Sequence, residues 1–224
     1  MFDDRNYIKS SYQHMKRYFQ LTTASEKLTR KGSKHEQPEI RRMQIIEAAM
    51  VCFGEHGYNT TTIDTIGKQA KLSKGSVYRF FSSKDELMLA IIEYIAGEFD
   101  KRFENETAGQ SYLEQLETFC RISVEEVIEH NALADLWFQI INLDFARNTI
   151  TRLFKKDLAI ITNIVTGGIE AGEFRESAKD TVPDAMMAMM NGSFLLSHIL
   201  NQEEKEWLEK FKRSWQLLKS QLIK

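Results

Sequence analysis

A short run of cationic, hydroxyl and phenolic side chains lies between Ser73 and Phe81, where the sequence reads Ser-Lys-Gly-Ser-Val-Tyr-Arg-Phe-Phe. If the run forms a helix of about two turns, then Val77, Phe80 and Phe81 face inward. The side chains left on the outer face are Lys74, Ser76, Tyr78 and Arg79. Lys, Arg and Tyr can reach phosphates, and short hydroxyls allow a close approach to base edges. The pattern therefore predicts a helix that lies in the major groove of DNA.

A second short helix is predicted directly before this one. Its inward residues recur at i, i+3, i+4 and i+7, which is one face of a helix: Ile63, Ile66, Gly67 and Ala70. Thr61 or Thr62 offers a side-chain oxygen to cap this helix, and Ser73 can cap the groove-facing helix. Because only a tight turn fits between the two helices, the pair is typical of a helix-turn-helix.

The segments on either side are predicted to be helical as well. A helix over residues 39–56 should end at Gly57, which acts as a C-terminal cap, and Arg41 and Arg42 at its start should lie near phosphates. Ser83 and Glu86 form a capping box at the start of a longer helix. That longer helix joins the helix-turn-helix to the rest of the chain.

With these elements in place, residues 41–89 resemble the DNA-binding domain of the tetracycline-repressor (TetR) family of bacterial transcription regulators. The motifs that carry the resemblance are Ile45-Ile46-Glu47-Ala48-Ala49, Phe53-Gly54-Glu55-His56-Gly57-Tyr58, Thr61-Thr62-Ile63, Ile66-Gly67, Leu72-Ser73-Lys74-Gly75-Ser76-Val77-Tyr78-Arg79-Phe80-Phe81 and Ser83-Lys84-Asp85-Glu86-Leu87. The sequence departs from the family at Lys71, a turn position where the family usually has Gly. If Lys71 adopts a positive φ, the turn costs roughly 1 kcal/mol.

The resemblance implies a set of DNA contacts. The residues expected to touch the duplex are Arg41, Thr61, Thr62, Lys74, Gly75, Ser76, Tyr78, Arg79 and Lys84. Base edges should be read by Lys74, Ser76 and Arg79. The phosphate backbone should be held by Thr62, Tyr78 and Lys84. A cation in the first turn of a helix is disfavoured by the helix dipole, so a phosphate bound at Lys84 would explain that residue.

Composition places the whole chain among all-α proteins. It has 224 residues, two prolines and eleven glycines, and long stretches with helical periodicity. The net charge of −2 is uneven, because residues 1–90 carry 15 Lys and Arg against 10 Asp and Glu, whereas residues 91–224 carry 15 against 22. This asymmetry favours an N-terminal part that faces nucleic acid. We expect about nine helices in a TetR-like order, divided into a basic extension (1–38), a helix-turn-helix domain (39–89) and a helical effector-binding and dimerisation domain (90–224).

The sequence also predicts a cytoplasmic protein with no membrane partner. The N-terminus shows no signal peptide, and the longest apolar stretch, residues 185–200, is too short and too polar to span a bilayer. Cys52 and Cys120 each lie on an apolar helix face, which favours two reduced thiols in the core.

Residues 1–38 extend beyond the part that resembles the family, and two interpretations of them stay open. Residues 6–20 have the spacing of an amphipathic helix that docks on another surface, or they are mobile. Residues 21–38 form a basic linker that either follows DNA into the adjacent minor groove or is disordered with incidental phosphate contacts.

The C-terminal part is predicted to be a bundle of helices. We expect helices over residues 111–130, 132–146 and 149–171, the last stopped by Gly172. Two more helices should follow, the first of which begins near residues 181–183 with Pro183 in its first turn. Asn201 and Glu204 are expected to cap the final helix, whose apolar seam consists of Trp207, Phe211, Trp215, Leu218 and Leu222. The preceding helices already supply a core, so the last two should be buried by a second copy. The resemblance implies a homodimer, which a pseudo-palindromic operator requires.

The resemblance further implies a pocket for a small hydrophobic effector. The residues that come from the helices around this cavity in the family are Trp137, Phe138, Phe145, Met186, Met187, Met190 and Phe194. Methionine adapts to irregular apolar shapes, which suits such a site. The alternative is that these side chains pack the core or the dimer seam. The effector would be a drug-like molecule, a fatty acyl compound or an aromatic.

Enzyme motifs are missing from the sequence. It has no Gly-x-x-x-x-Gly-Lys, His-Glu-x-x-His, Cys-x-x-Cys or Gly-x-Ser-x-Gly. We expect no cofactor and no metal. The sequence thus predicts a ligand-released repressor that binds a palindromic operator as a dimer. The alternatives are an activator, a ligand-insensitive architectural DNA binder, and a helical small-molecule-binding protein or enzyme that keeps the helix-turn-helix as a scaffold.

Overall fold

The computed structural model describes residues 38–129 and 134–223, and these two ranges contain nine α-helices. They are α1 (Pro38–His56), α2 (Ile63–Gln69), α3 (Lys74–Tyr78), α4 (Lys84–Thr107), α5 (Tyr112–Glu129), α6 (Ala134–Ile140), α7 (Asp144–Glu170), α8 (Val182–Ile199) and α9 (Glu204–Leu222). The predicted all-α fold is confirmed. Apart from Pro38, the predicted N-terminal extension lies outside the described residues. No helix in the described ranges is long and apolar enough to cross a membrane.

Glycines end two of the helices as predicted. Gly57 and Gly172 both have φ 77°, a left-handed conformation that follows α1 and α7. A residue without a Cβ adopts this conformation at little cost. The Gly172 N–H donates to the carbonyl oxygen of Ile169 at 3.0 Å, which satisfies one of the acceptors left unpaired at a helix end.

Asn201 has a different role from the predicted one. It was expected to cap the start of α9, but its φ of 47° places it in the left-handed region at the end of α8. Its N–H donates to His198 O at 3.2 Å, and the N–H of Gln202 donates to Ser197 O at 2.9 Å. Asparagine suits either position, because its short polar side chain tolerates positive φ and can also accept a cap bond. The residue that precedes α9 is Glu203, whose side chain makes no cap bond.

The predicted helix over residues 132–146 is in fact shorter. Within the described residues α6 ends at Ile140, and α7 begins at Asp144 after a tight turn in which the Leu143 N–H donates to Ile140 O at 2.9 Å. Phe145 therefore belongs to the first turn of α7. The turn contains neither Gly nor Pro, so the apolar periodicity continues through it and hides the break.

The described residues form two compact units. The first comprises residues 38–97 and 126–150, and the second comprises 98–125 and 151–223. The large side chains buried in the first unit are Ile45, Ile46, Met50, Phe53, Ile66, Val77, Phe81, Leu87, Met88 and Ile91. The predicted domain boundary after residue 89 stays a prediction. Cys52 and Cys120 are both free, buried thiols.

The apolar seam of α9 lies inside the second unit. Phe211, Trp215 and Leu222 belong to its core, and Trp207 is buried beside Phe211 with 6.4 Å between ring centroids. The expectation that a second copy buries this seam is therefore wrong. The apolar period shows that one face of α9 is covered, but it does not show whether the covering surface belongs to the same chain. The other core residues of this unit are Leu116, Phe119, Cys120, Ile161, Ile164, Val165, Phe174, Ala178, Val182 and Met186.

Two adjacent glycines let aromatic rings pack directly on α7. A Cβ on Gly167 would lie 2.8 Å from Cζ of Tyr112, and a Cβ on Gly168 would lie 2.9 Å from Cγ of Phe174. Real Cβ atoms essentially never approach other atoms so closely, and Phe174 is fully buried and cannot move aside. The missing side chains therefore make room for the two rings.

Four charged side chains connect α4 to α5 in the second unit. Arg102 pairs with Glu125, and with Glu106 at 3.6 Å. Arg121 pairs with the same two carboxylates, at 3.1 Å from Glu125. The four groups thus form a closed ring of alternating charge. Because the ring is partly exposed, each pair contributes at most about 1 kcal/mol, and the ring mainly fixes how the two helices align.

Asp157 on α7 lies in a desolvated position of the second unit. Burial raises the pKa of its carboxyl to about 6, and the nearby Asp100 adds to the rise while Lys156 opposes it. Lys156 is itself bonded to Asp100 at 2.6 Å. Asp157 therefore holds a proton more tightly in the folded protein than in the unfolded chain.

We predict that Gly168→Ala destabilises the protein by about 2 kcal/mol, because the new methyl group must displace the buried ring of Phe174. Gly97→Ala is the matched control, since no atom lies within 4 Å of a Cβ built there. In that open position alanine should be neutral or should stabilise α4 by up to about 1 kcal/mol. Urea unfolding checks both values, and equal effects of the two substitutions would contradict the packing argument.

We also predict that Asp157→Asn changes how stability depends on pH. The folded-state pKa of about 6 exceeds the unfolded value, so the free energy of unfolding should fall as the pH rises from about 4 to about 6. Asparagine removes this decline and makes the protein more stable than wild type at neutral pH. Thermal unfolding over a pH series measures this change in pH dependence. Asp180→Asn is the control, because Asp180 is exposed. A variant whose pH profile parallels that of wild type would exclude this explanation.

Candidate nucleic-acid interface

Thr61 lies in the loop that joins α1 to α2, and it faces the protein interior. Its side chain is only 2% exposed. Its hydroxyl lies 3.0 Å from the carbonyl oxygen of Cys52 and 2.7 Å from that of Gly57. A hydroxyl held between two buried main-chain acceptors cannot also reach DNA. Thr61 is therefore corrected from a predicted DNA contact to a residue that holds the loop in place.

Thr62 caps α2 and is one of the two residues, Thr61 or Thr62, that the sequence offered for this cap. Its backbone is extended, and its Oγ1 accepts the N–H of Thr65 at 3.1 Å. The side chain is exposed at the start of the helix-turn-helix. Gly67 of α2 lies against the turn that follows the helix. A Cβ on Gly67 would be only 2.9 Å from the carbonyl oxygen of Leu72, in the turn between α2 and α3. Gly67 thus permits the close approach of α2 and α3.

Lys71 occupies the turn between α2 and α3 with φ 58°. Lys71 thus has the positive φ that was considered because the family usually has Gly at this position. For a residue with a Cβ, this conformation costs roughly 1 kcal/mol. The side chain is exposed, so the turn adds a cation to this surface.

The short helix α3 presents three of its four predicted polar side chains to solvent. Ser73 caps it by accepting the Ser76 N–H at 3.1 Å, and the two hydroxyls lie 2.9 Å apart. Val77 is fully buried beneath. The residues of this helix and its C-cap that face solvent are Lys74, Gly75, Tyr78 and Arg79, whereas Ser76 is half-buried. The ammonium of Lys74 lies 5.9 Å from the centroid of the Tyr78 ring. Cation and phenol are therefore neighbours on the outer face.

The two arginines at the start of α1 differ in their surroundings. Arg41 is half-buried, and its Nη1 donates to Oε1 of Gln44 at 3.2 Å. Arg42 is exposed and lies over the ring of Phe81, with Cζ 4.9 Å from the centroid. The sequence predicts that both arginines lie near phosphates, and the exposed Arg42 lies over the ring of Phe81, which follows α3.

The predicted capping box at α4 forms with one change. The Glu86 N–H donates to Ser83 Oγ at 3.0 Å, as expected. The Glu86 carboxylate, however, accepts from the N–H and the hydroxyl of Ser82, both at 2.6 Å. These bonds lower the pKa of Glu86. The carboxylate thus ties the end of the helix-turn-helix to the first turn of α4.

Tyr58 is a residue to which the sequence assigned no role. It is buried between Phe53 and Phe145, with ring centroids 5.6 and 5.7 Å away. Its hydroxyl donates to the carboxylate of Asp85, and burial together with this bond raises the pKa of Tyr58 above its ordinary value. The ammonium of Lys84 lies 4.3 Å from the ring centroid. The sequence feature that could have indicated this role is an aromatic residue directly after Gly57, the glycine that ends α1.

Lys84 makes contacts that the sequence did not predict. Its Nζ donates to the carbonyl oxygens of Tyr58 at 2.7 Å, Thr61 at 3.2 Å and Asn59 at 3.4 Å. All three acceptors belong to the loop between α1 and α2. The side chain of Lys84 thus reaches back from the first turn of α4 to the start of the helix-turn-helix.

The residues predicted to line an effector pocket are divided between the two units. The first unit contains Trp137, Phe138 and Phe145; the second contains Met186, Met187, Met190 and Phe194. The ring of Phe145 contacts that of Tyr58 in a tilted arrangement. Met186 is fully buried in the core of the second unit, against which Met187 and Met190 pack. The pocket stays a prediction. Within residues 38–129 and 134–223, no group of three or more His, Cys, Asp or Glu side chains could hold a metal ion.

This geometry agrees with what similarity to known proteins indicates. Residues 45–91, which run from α1 through the helix-turn-helix into α4, match the family model described as bacterial regulatory proteins, tetR family. Residues 45–91 are thus a DNA-binding domain of the TetR type. Together with the regulators that the chain resembles, this domain identifies a DNA-binding transcription regulator and not an enzyme.

Similarity to known regulators extends beyond the DNA-binding part. The fatty acid metabolism regulator protein of Bacillus subtilis is 27% identical over 145 residues, which cover 63% of this chain and 74% of that protein. A TetR transcription regulator from Haloarcula marismortui has the same fold with a TM-score of 0.74 at 16% identity, over 82% of this chain and 99% of that one. FadR of Bacillus subtilis, solved with stearoyl-CoA, superposes with a TM-score of 0.69 at 23% identity, over 80% and 98% of the two chains.

Proposed function

We propose that this TetR-family regulator is a repressor that binds a palindromic operator as a homodimer and is released by a hydrophobic effector. The observation that carries the DNA-binding part is the exposed face of α3, where Lys74, Tyr78 and Arg79 project from a helix whose other side is buried. We place its action in the bacterial cytoplasm, because that is where a transcription regulator meets DNA.

The roles of the DNA-facing residues follow from their reach and surroundings. Lys74 and Arg79 are long, exposed cations that suit guanine edges in the major groove, and Ser76 suits a close approach to a base. Thr62 and Tyr78 lie at the margins of the same face and suit phosphates. Gly75 has room around it, since a Cβ there would meet only Ser73 Oγ at 4.0 Å, and this leaves space for the DNA backbone. Arg41 and Arg42 add charge at the start of α1.

The surface that we propose for dimerisation lies on the outer sides of α8 and α9. Large apolar side chains are exposed there: Leu195, Leu196, Ile199, Leu200 and Leu217. Ile199 is 65% exposed and Leu217 is 70% exposed. Several large apolar side chains exposed on two consecutive helices are typical of a protein–protein interface. A second copy of the chain is the partner that a palindromic operator requires.

A long-chain acyl thioester of coenzyme A is the effector class we propose to test first. The relative that is 27% identical is a fatty acid metabolism regulator protein, and the FadR structure from Bacillus subtilis contains stearoyl-CoA. Among the predicted lining residues, Met187, Met190 and Phe194 of α8 have the apolar character that an acyl chain needs. Fatty acyl compounds were among the three effector classes that the sequence left open.

Selection of bound duplexes from a random DNA pool, read by sequencing, tests the operator. We expect a pseudo-palindrome with half-sites about one helical turn apart. Stearoyl-CoA, coenzyme A and stearate are then added separately to the complex, and we expect release by stearoyl-CoA alone. Enrichment of no sequence by a folded, ligand-stripped dimer would refute operator binding. Release by none of the three compounds would refute only the proposed effector class.

We predict that Tyr78→Phe and Arg79→Ala weaken DNA binding in different ways. Loss of the Tyr78 hydroxyl removes a phosphate contact and should weaken binding to every duplex by about tenfold. Loss of the Arg79 guanidinium should relax preference at one base position by about 1–3 kcal/mol. Competition binding with operators mutated at each position measures both. A uniform loss for both variants would contradict the assigned roles.

We further predict that Ile199→Glu yields a folded monomer. Ile199 is 65% exposed in the protomer, so the fold should tolerate the charge, whereas burial of that charge between two copies should weaken dimerisation by at least about a hundredfold. Sedimentation velocity measures the change, with Lys179→Glu as a control that also introduces an exposed glutamate. If the Ile199→Glu protein stays dimeric, the interface lies elsewhere.

A further inference from the structure

The outer face of α8 is divided by residue size. Successive residues of a helix are turned by about 100°, which places six positions of α8 within an arc of about 100° on one side. Three small residues lie in the N-terminal half of this arc and three large apolar residues in its C-terminal half: Ala185, Ala188 and Gly192, then Leu195, Leu196 and Ile199. On the other side of the helix, Pro183 and Met186 are buried.

Within one copy of the chain this face is uncovered. Ala185 and Ala188 are exposed and, among the described residues, nothing lies within 4 Å of a Cβ built on Gly192. Leu196 and Ile199 are each more than half exposed. Residues 185–200 also include no Asp, Glu, Lys or Arg. A helix that is apolar on all sides is typically buried on all sides, and charged residues are depleted at the centre of protein interfaces.

We infer that α8 packs antiparallel against α8 of a second copy, so that the small half of each helix receives the large half of the other. The inference rests on the homodimer proposed above and adds an orientation and a register to it. A two-fold axis perpendicular to the helix makes the two copies antiparallel, and each large side chain then enters space that small residues leave open. A parallel arrangement would bring large against large and small against small, which crowds one end and leaves a gap at the other.

The small and large positions agree on one register. If Gly192 lies opposite Leu195 of the partner subunit, then Ala188 lies opposite Ile199 of the partner subunit, because both pairs are symmetric about the same point between residues 193 and 194. In each pair a residue with a small side chain, or with none, meets a large one. A helix with small or large residues along its whole length would not fit this face, so the pattern selects a second copy of this chain.

The area of the face agrees with a dimer in which α9 also takes part. A standard interface buries about 800 Å² on each partner. One face of α8, whose 18 residues span about 27 Å at a width of about 10 Å, provides roughly a third of that area. The neighbouring α9 packs against the same core as α8, and its Leu217 is exposed. The two helices together thus approach the area that a stable dimer needs.

Engineered disulfides test the register. In the double variant Ala188→Cys/Ile199→Cys, each new thiol should face the other substituted position of the second copy, and oxidation with diamide should give a covalent dimer. The two single variants are the matched controls. Identical positions of the two copies would lie about eleven residues, or about 16 Å, apart along the helices, whereas a disulfide needs Cα atoms within about 7 Å. Non-reducing electrophoresis of the full-length proteins should therefore show a covalent dimer in the double variant alone, since Cys52 and Cys120 are buried.

A change of size at Gly192 provides a second readout. Gly192→Leu should leave the protomer at least as stable as wild type, because it replaces glycine at an open helix position. In the dimer the new side chain would crowd the interface twice, once on each side of the axis, and should raise the dissociation constant of the dimer at least about thirtyfold. Gly97→Leu is the matched control, since a Cβ on Gly97 of α4 is equally open among the described residues. Sedimentation equilibrium over a dilution series measures both dissociation constants.

The outcomes separate this inference from the homodimer on which it rests. Efficient cross-linking by Ile199→Cys alone would show that the large halves meet, and it would overturn the inference. A double variant that is dimeric in sedimentation but forms no covalent dimer would overturn it as well and leave the homodimer intact. An unchanged dissociation constant in Gly192→Leu would exclude the small half from the interface. A wild-type protein that stays monomeric would refute the homodimer itself, and the inference with it.

Discussion

The DNA-reading part of this protein depends on the apolar surface beneath it. Helices of seven and five residues, such as α2 and α3, are too short to be stable in water, because their few hydrogen bonds do not offset the entropy lost on ordering the chain. They persist here because Ile66, Val77 and Phe81 are fully buried in the first unit. Side-chain caps at Thr62 and Ser73 satisfy the amides that such short helices leave unpaired. The outer face is thus free of any structural task and can be polar throughout.

Tyr58 and the first turn of α4 connect this surface to the rest of the first unit. The ring of Tyr58 contacts Phe53 of α1 and Phe145 of α7, while its hydroxyl and carbonyl bind adjacent residues of α4. One side chain therefore joins three helices at the loop that leads into α2. A residue with both a large apolar ring and a polar end is suited to such a position, because the ring fills the core and the hydroxyl reaches its partner at the edge. The loop needs no regular structure of its own to be well defined.

The features that the sequence predicted correctly are those set by near neighbours in the chain. The caps at Thr62 and Ser73 and the helix ends at Gly57 and Gly172 each depend on one residue and the next few amides. Two errors were also local, the cap predicted at Asn201 and the missed break after Ile140. The others concern partners far apart in the chain. Periodicity identified the seam of α9 but could not reveal that the same chain covers it. The threonine pair before α2 looked equivalent until the fold placed Thr61 inside and Thr62 outside. Lys84 was similarly ambiguous, since its acceptors lie some twenty-five residues earlier.

At position 71, local backbone stability and surface charge favour different residues. Glycine is the residue that suits a φ of 58° without strain, and it carries no side chain. The lysine found there strains the backbone but adds a cation beside α2 and α3, on a chain whose overall charge is negative. A substitution chosen to relieve the turn would therefore also remove part of the attraction for DNA. At this position the most stable protein and the most tightly binding one would have different residues, so an increase in melting temperature there would be a poor guide to improved activity.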